Sequence, residues 1–290
     1  MGYADSPGPI ALAHRGGAGL GPENTLLTFS RSVGLGFRHL ETDVRVTADG
    51  DLVCLHDATL ERLTGTGGAG GTVRRLTSAQ LRRVRVGGEP VPALAEALDA
   101  FPHTNFSVDL KEAAAIGPLV ALLRRPGVAR RVCVAGAWDG WLSQVRAEVP
   151  EVSTSLGWRS LVALIASSRT GARRPPRRLA RAPFAHVPVK LGAVPIFVER
   201  VVDLAHELGI RVVTWTVDDA ATMHALLDAG ADAVITDRPD VLREVLVARN
   251  QWQPPTLARA PGMRRGPVRD LVVAGGPPAA PRSAPHRAPW

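Results

Sequence analysis

The chain has few aromatic residues, few cysteines and no long apolar run. Only 4% of its 290 residues are phenylalanine, tryptophan or tyrosine, so alanine, valine and leucine must fill most of any core. No apolar run reaches the roughly 18 residues that a membrane-spanning helix needs. The two cysteines, Cys54 and Cys133, lie in separate apolar runs, which predicts buried thiols and argues against a disulfide framework.

The N-terminus also lacks a recognisable targeting signal. Residues 1–9 contain no basic stretch followed by an apolar one, the pattern of a secretory signal. We therefore expect a cytoplasmic protein whose first nine residues form a short extension. A hydrophobic content of 45% is ordinary for a globular protein, and 290 residues suffice for one large domain or two small ones.

The net charge of +8 is unevenly distributed. Residues 251–290 hold six arginines and one aspartate, which amounts to +5, and six more arginines lie within residues 169–181. The rest of the chain is slightly acidic, which argues against a basic face that binds nucleic acid. We expect the 169–181 cluster to be a solvated loop, with attraction to anionic lipid as the alternative.

The composition changes from residue 251 onward. Proline, alanine, arginine and glycine dominate, and the only apolar cluster is at residues 271–274. Such a segment cannot bury enough surface to offset the entropy lost on ordering. We expect residues 251–290 to be a disordered tail, and a membrane- or partner-binding role for it stays open.

Strand-like and helix-like patterns alternate through residues 10–250. The predicted strands are Ile10–Ala13, His39–Val44, Asn105–Leu110, Arg131–Ala135, Val152–Leu156, Ala185–Val189, Arg211–Val217 and Ala233–Ile235, with a further extended piece at Leu52–Leu55. Helical patterns are found at 25–35, 113–124, 139–148, 158–168, 195–208, 219–229 and 239–248. This alternation predicts a (β/α)₈ barrel, with a doubly wound open sheet as the alternative.

One connection is much longer than the others. Residues 57–104 separate the second and third predicted strands and contain a glycine-rich segment at 65–71 and a short helical pattern at 77–84. We expect a small insertion beside the active face of the barrel, and not a separate domain.

Three carboxylates lie near the ends of neighbouring predicted strands. Glu41 and Asp43 are two residues apart, so both point to the same face, and burying two acids against the helix layer would be costly. Asp109 and Lys111 repeat this spacing on the third strand. Three converging acids become tolerable around Mg²⁺ or Ca²⁺, which take oxygen ligands. The alternative is that the acids form buried ion pairs with nearby arginine and lysine side chains.

Two histidines follow strand-like segments. His14 ends the first strand and His56 ends the extended piece after the second, at the face where barrel enzymes place their active sites. An imidazole can take or give a proton at neutral pH, and cleavage of a phosphodiester needs both a base and an acid. Arg15 and Lys111 supply the positive charge that a phosphate group requires. A structural role for each histidine is the alternative.

Several neighbouring residues have structural interpretations as well. Asn24 and Asp237 each precede a predicted helix, which favours an N-cap role for both. Glu23 is a candidate to support an active-site group. Trp215 is predicted either to line the pocket and contact the alcohol part of a substrate or to pack in the core. Lys190 is expected in solvent, with approach to a phosphate as the alternative.

The sequence resembles the glycerophosphodiester phosphodiesterase family in several motifs spread over residues 10–246. They are His14-Arg15-Gly16, Pro22-Glu23-Asn24-Thr25, Glu41-x-Asp43-Val44-x-x-Thr47-x-Asp49-Gly50-x-x-Val53-x-x-His56-Asp57, Val108-Asp109-Leu110-Lys111, Trp215-Thr216-Val217-Asp218 and Thr236-Asp237-Arg238-Pro239. Two positions depart from the family pattern. Asp109 stands where a glutamate is common, and Asp218 stands where an asparagine is common.

The resemblance implies a (β/α)₈ barrel that holds a divalent metal and uses a histidine pair for acid–base catalysis. The matching positions imply metal binding by Glu41, Asp43 and Asp109, acid–base roles for His14 and His56, and phosphate binding by Arg15 and Lys111. The implied reaction is hydrolysis of glycerophosphodiesters to sn-glycerol 3-phosphate and an alcohol. The alternatives are a lysophospholipase D that acts on lysophospholipids and a non-catalytic barrel that binds phosphate or membrane. The oligomeric state stays open.

Overall fold

The computed structural model describes residues 2–64, 71–170, 182–191, 194–195 and 198–253. Its strands are β1 Ile10–Ala13, β2 His39–Val46, β3 Leu52–Cys54, β4 Arg85–Val86, β5 Glu89–Pro90, β6 Asn105–Leu110, β7 Val132–Gly136, β8 Ser153–Thr154, β9 Phe184–Pro188, β10 Lys190–Leu191, β11 Val194–Pro195, β12 Arg211–Trp215 and β13 Ala233–Thr236. Its α-helices are α1 Leu26–Gly34, α2 Glu61–Thr64, α3 Ser78–Leu81, α4 Leu94–Ala100, α5 Ile116–Leu123, α6 Asp139–Glu148, α7 Trp158–Thr170, α8 Val198–Glu207, α9 Ala220–Asp228 and α10 Pro239–Ala248.

Eight parallel strands form a closed barrel. Their order is β8-β7-β6-β2-β1-β13-β12-β9, and β3 adds antiparallel to β2. The ends of this order meet at a parallel bridge between Ser155 and Phe184, where the amide of Leu156 donates to the carbonyl of Phe184 at 2.8 Å. The prediction of a (β/α)₈ barrel is confirmed. The open-sheet alternative is wrong, because an open sheet would leave these two edges unpaired.

Alternation along the strands divides the core into two layers. Outward-facing residues such as Leu40 and Phe106 pack among the helices, while inward-facing residues such as Leu12 and Val213 fill the barrel. The single tyrosine, Tyr3, is fully buried in the inner layer, with its ring edge-on to Phe184 at 5.2 Å between centroids. The expected N-terminal extension therefore contributes a side chain to the interior of the barrel.

The long connection after β2 contains two helices that sequence reasoning missed, the short α2 and the longer α4. Helix α4 buries Leu94, Ala97 and Leu98 against the outer core, at the i, i+3, i+4 spacing of an amphipathic helix. It is the helix of the second β/α unit, so the insertion is shorter than expected and ends before residue 94. The insertion has a small apolar cluster of its own, which includes Val73 and Leu81. Residues 65–70 of the glycine-rich segment lie outside the described residues.

The chain beyond α10 is described only as far as residue 253. Trp252 packs against Phe37, with ring centroids 5.3 Å apart, so the first residues of the expected tail still contact the barrel. Residues 254–290 and residues 171–181 of the arginine cluster lie outside the described part. Both cysteines are free and buried, as predicted. Within the described residues, every helix is too short or too polar to cross a bilayer.

Candidate active site

A cavity of about 500 Å³ lies at the carboxyl ends of the barrel strands. Its lining includes all eight residues that the sequence singled out for catalysis, substrate binding or metal binding: His14, Arg15, Glu41, Asp43, His56, Asp109, Lys111 and Trp215. These residues come from β1, β2, β3, β6, β12 and the segments that follow them, so barrel closure is what brings them together. Trp215 is exposed on the cavity wall and does not pack in the core.

Each of the two histidines is held through Nδ1 by an aspartate. Nδ1 of His14 lies 2.8 Å from Asp237, and Nδ1 of His56 lies 2.7 Å from Asp57. Because a carboxylate only accepts hydrogen bonds, each Nδ1 carries a hydrogen and each Nε2 is the nitrogen available for proton exchange. Burial lowers the pKa of His14, but the bond to Asp237 and the charge of Glu41 outweigh it, so the pKa is raised overall.

The role of Asp237 differs from the N-cap that the sequence suggested. The N-cap of α10 is Arg238, which makes no capping bond with its side chain, and the carboxylate of Asp237 turns to His14 instead. Asp218 fixes this segment by accepting from the Asp237 amide at 2.8 Å and from the Thr236 hydroxyl at 3.0 Å. Both contacts need only an acceptor oxygen, so Asp218 can replace the asparagine that the family commonly has there.

The carboxylates of β2 and β6 share a lysine. Asp43 and Asp109 are register partners on these strands, and Nζ of Lys111 lies 2.9 Å from Asp43 and 2.6 Å from Asp109. Burial raises the pKa of Asp43, but Lys111 and Arg15 outweigh it and the pKa is lowered. For Asp109, burial outweighs the lysine and the pKa is raised. The ion pairs that the sequence left as an alternative are therefore present for Asp43, through Lys111 and Arg15.

Glu41 is the acid whose charge is least compensated. Its carboxylate accepts the backbone N–H of Arg15 at 2.8 Å and lies 3.9 Å from Nε2 of His14. Burial and the nearby charge of Asp43 raise the pKa of Glu41 to about 8. The charged form of Glu41 is therefore disfavoured here, and the place favours a proton or a further cation.

The donor chemistry of these acids fits a hard divalent cation, although the side chains are not arranged around one. No three described histidine, cysteine, aspartate or glutamate side chains are grouped closely enough, as they stand, to hold a metal ion. Three carboxylates nevertheless open into one cavity, and carboxylate oxygens are the ligands that Mg²⁺ and Ca²⁺ take. A cation at this place would share the oxygens of Asp43 and Asp109 with Lys111.

Arg15 is held by a network that reaches into the insertion. Its guanidinium pairs with Glu23 at 3.1 Å and with Asp43 at 3.4 Å. Arg62, on α2, pairs with the same Glu23 at 2.6 Å and with Asp57, the partner of His56, at 2.5 Å. The supporting role suggested for Glu23 agrees with this geometry. The insertion thereby connects the arginine of the site with one of its histidines.

Asn24 was expected to cap α1, and this expectation is wrong. The cap is Thr25, whose hydroxyl accepts the backbone N–H of Thr28. Asn24 adopts a left-handed backbone with φ 57° and is buried, and its amide donates to Asp43 at 3.0 Å and accepts from the Thr42 hydroxyl at 2.7 Å. It holds the carboxylate of Asp43 in place. The signal in the sequence was only that Asn tolerates positive φ better than most residues.

Sequence reasoning missed some residues of the cavity lining. They include His186 from β9 and two exposed tryptophans, Trp138 and Trp158, from the segments that follow β7 and β8. His186 occupies an inward-facing position of β9, a signal that the alternation of that strand carried. The tryptophans lie at the starts of helices, where nothing local distinguishes a cavity wall from an exposed surface. The side chain of Lys190 is outside the described part.

Comparison with known proteins agrees with the motifs. The Glycerophosphoryl diester phosphodiesterase family matches residues 14–241. A protein of Mycobacterium tuberculosis (strain ATCC 25618 / H37Rv) named "Probable glycerophosphodiester phosphodiesterase 2" is 37% identical over 249 residues, which cover 84% of this chain and 93% of the relative. The resemblance found in the sequence is confirmed.

Two further matches bear on fold and on substrate. The structure of an Oleispira antarctica phosphodiesterase in complex with the product sn-glycerol-3-phosphate superposes with a TM-score of 0.67 at 22% identity, and covers 83% of this chain and 97% of that one. It shows the same fold. A Mus musculus protein named lysophospholipase D GDPD1 is 33% identical over 111 residues, which cover 34% of this chain and 35% of the relative.

Replacing Asn24 by alanine is expected to destabilise the protein because Asp43 and Thr42 both lose a buried partner. Unpaired buried groups cost about 1–3 kcal/mol, and alanine also tolerates positive φ less well than asparagine, whose short polar side chain can hydrogen-bond locally. Asn250→Ala is the matched control, since Asn250 also has positive φ (55°) but is exposed at the end of α10. Denaturant unfolding should show a larger loss of unfolding free energy for Asn24→Ala. Equal losses would mean that the two hydrogen bonds contribute nothing.

Proposed function

The chain belongs to the glycerophosphoryl diester phosphodiesterase family and is thus a phosphoric diester hydrolase, and from that premise we propose that it cleaves glycerophosphodiesters with a divalent cation and a histidine pair. The products are sn-glycerol 3-phosphate and an alcohol such as choline or ethanolamine. The observation that carries the proposal is the convergence of two aspartate-held histidines, three carboxylates, an arginine and a lysine on one cavity.

The cationic side chains of the cavity suit a phosphate diester. Arg15 and Lys111 line the cavity and are anchored by acids, Arg15 by Glu23 and Lys111 by Asp109. Anchoring keeps both charges directed at the same volume, so a phosphate group entering it meets fixed hydrogen-bond donors. The substrate of the Oleispira relative yields sn-glycerol 3-phosphate as its product, which supports a small phosphodiester as the substrate here.

The cation is assigned to Glu41, Asp43 and Asp109. When bound, it would neutralise charge on the phosphate oxygens and make a neighbouring hydroxyl easier to deprotonate. The raised pKa of Glu41 supports this assignment, since an uncompensated buried carboxylate is stabilised by added positive charge. Asn24 and the Arg15 amide keep Asp43 and Glu41 oriented for that purpose.

The histidines divide the proton transfers of the reaction. One Nε2 removes the proton of the attacking hydroxyl, which belongs either to the glycerol or to water, and the other Nε2 protonates the departing alcohol. Asp237 and Asp57 keep the hydrogen on Nδ1 of each ring, so both rings present the same nitrogen to the substrate. Attack by the glycerol hydroxyl and attack by water both need a base and an acid, so the histidine pair is compatible with either route.

An apolar part of the cavity favours a second candidate, hydrolysis of lysophospholipids. Trp138, Trp158 and Trp215 are 58%, 45% and 39% exposed, and all three line the cavity together with Leu156 and Leu161. Large aromatic side chains exposed beside a cavity mark a binding surface. A hydrocarbon chain on the substrate would cover them, with about 0.8 kcal/mol gained for each buried methylene. Within the described residues, this apolar part of the cavity wall comes from the segments that follow β7 and β8 and from the end of β12.

Removing divalent metal should abolish turnover. We expect no hydrolysis of glycerophosphocholine in chelator and recovery with Mg²⁺ or Ca²⁺. Glu41→Gln keeps the shape of the side chain and removes a ligand charge, so it should raise the metal concentration for half-maximal activity by about tenfold or more. Glu148→Gln, on the surface at α6, is the control. Full activity of metal-free protein would rule out the cation.

Loss of either histidine should lower kcat without unfolding the protein. We expect His14→Ala and His56→Ala each to reduce kcat for glycerophosphocholine by about 10²–10⁴-fold, the usual contribution of an acid–base group. His206→Ala is the control, because His206 is an exposed histidine that pairs with Asp232 outside the cavity. Circular dichroism would verify the fold of each variant. Unchanged turnover in either cavity variant would remove that histidine from the mechanism.

The tryptophans should matter for a substrate that carries an acyl chain. Trp138→Ala and Trp158→Ala should each lower kcat/KM for lysophosphatidylcholine by about tenfold, and leave kcat/KM for glycerophosphocholine within about twofold, since only the former carries an acyl chain to bury. Val247→Ala, an exposed apolar residue on α10 away from the cavity, serves as the control. An equal loss on both substrates would assign the tryptophans to the shared choline group, and the acyl-chain interpretation would fail.

A further inference from the structure

A third imidazole lies in the cavity, and the mechanism above does not use it. His186 belongs to β9, pairs in register with Val213 of β12 and lines the cavity together with Ile235 of β13. Its Nε2 is shielded from solvent and lacks a hydrogen-bond partner among the described residues. His186 lies two residues before Pro188 and on the same face of β9, and Pro188 is the register partner of Trp215. His186 therefore lies deeper in the barrel than Trp215, toward the floor of the cavity.

A buried nitrogen without a partner needs a physical reason. Leaving such a group unsatisfied costs about 1–3 kcal/mol, and nearly all buried polar atoms in proteins are bonded to protein, water or a ligand. Burial lowers the pKa of His186 to about 4, so the ring is neutral at physiological pH. A neutral imidazole offers either a donor or an acceptor at Nε2, according to its tautomer.

The rest of the cavity lining indicates which kind of group His186 binds. Ser107, the register partner of Glu41, is another neutral polar side chain of the cavity lining, and its buried Oγ also lacks a hydrogen bond of good geometry within the described residues, although the Tyr3 hydroxyl lies nearby. A neutral ring offers no charge to a phosphate, and a polar atom is not satisfied by a hydrocarbon. An alcohol hydroxyl, which donates and accepts, fits both tautomers.

We propose that Nε2 of His186 binds a hydroxyl of the glycerol moiety and so selects a polyol phosphate over simpler alkyl phosphates. This inference rests on the function proposed above. Arg15 and Lys111 hold the phosphate, and the tryptophans line an apolar part of the wall, which leaves the neutral polar side chains of His186 and Ser107 for the hydroxyls of glycerol. A site that hydrogen-bonds a substrate hydroxyl discriminates strongly against an analogue without it, because its own polar group is then left unpaired.

Ligand binding tests this assignment without depending on turnover. Isothermal titration would compare sn-glycerol 3-phosphate with two propanediol phosphates, each lacking one of its hydroxyls. In the wild-type protein, one propanediol phosphate should bind about tenfold more weakly than glycerol phosphate, in line with one neutral hydrogen bond. His186→Leu keeps the bulk of the side chain and removes its nitrogens. In this variant the binding of sn-glycerol 3-phosphate should weaken by about tenfold, and the difference in affinity between it and the propanediol phosphate should disappear.

Two further variants complete the experiment. His186→Asn retains a polar group and should keep part of the discrimination, and it replaces the leucine variant if that one does not fold. His103→Leu is the control, since His103 is exposed and outside the cavity. The inference would be overturned if substitution of His186 weakened the binding of all three ligands equally or did not weaken it at all. It would also be overturned if the wild-type protein did not discriminate between the ligands by their hydroxyls. Turnover of glycerophosphocholine by the wild-type protein reports separately on the proposed function.

Discussion

The structure of the site depends on the crowding of three carboxylates at the mouth of the barrel. Glu41, Asp43 and Asp109 are brought together by two adjacent parallel strands, and carboxylates so close in a partly dry cavity are stable only with positive charge among them. Lys111 and Arg15 supply that charge to Asp43, whereas burial and the charge of Asp43 raise the pKa of Glu41. The divalent cation proposed for this place would supply the positive charge that is lacking there.

Around that charge cluster, a second set of contacts fixes the direction of each functional group. Asp237 and Asp57 orient the histidines, and Asn24 orients Asp43. The partners come from loops after different strands and from the insertion, through Arg62, so no single β/α unit contains a working part of the site. The cavity also combines an apolar tryptophan surface with a neutral polar floor, which suits a substrate that is charged at one end only.

The predictions that succeeded rest on short-range regularities. The two-residue repeat of a strand predicted that Glu41 and Asp43 share one face, and the repeated strand–helix pattern predicted the barrel. Both predictions depend on local backbone geometry. The family motifs identified the cavity residues because their spacing is kept along the chain. Helix α4 was missed because its apolar pattern, Leu94 to Leu98, is short and lies in a stretch that otherwise looks irregular.

The sequence by itself determined the fold class, the family and the residue types that line the cavity. Only the tertiary structure decided the partners of those residues: Asp237 with His14 across 223 positions of the chain, Asn24 with Asp43 in place of a helix cap, and His186 with an unpaired nitrogen at the cavity floor. The physical reason is that a hydrogen bond depends on distance and angle between side chains, which closure of the barrel sets and which no local pattern encodes.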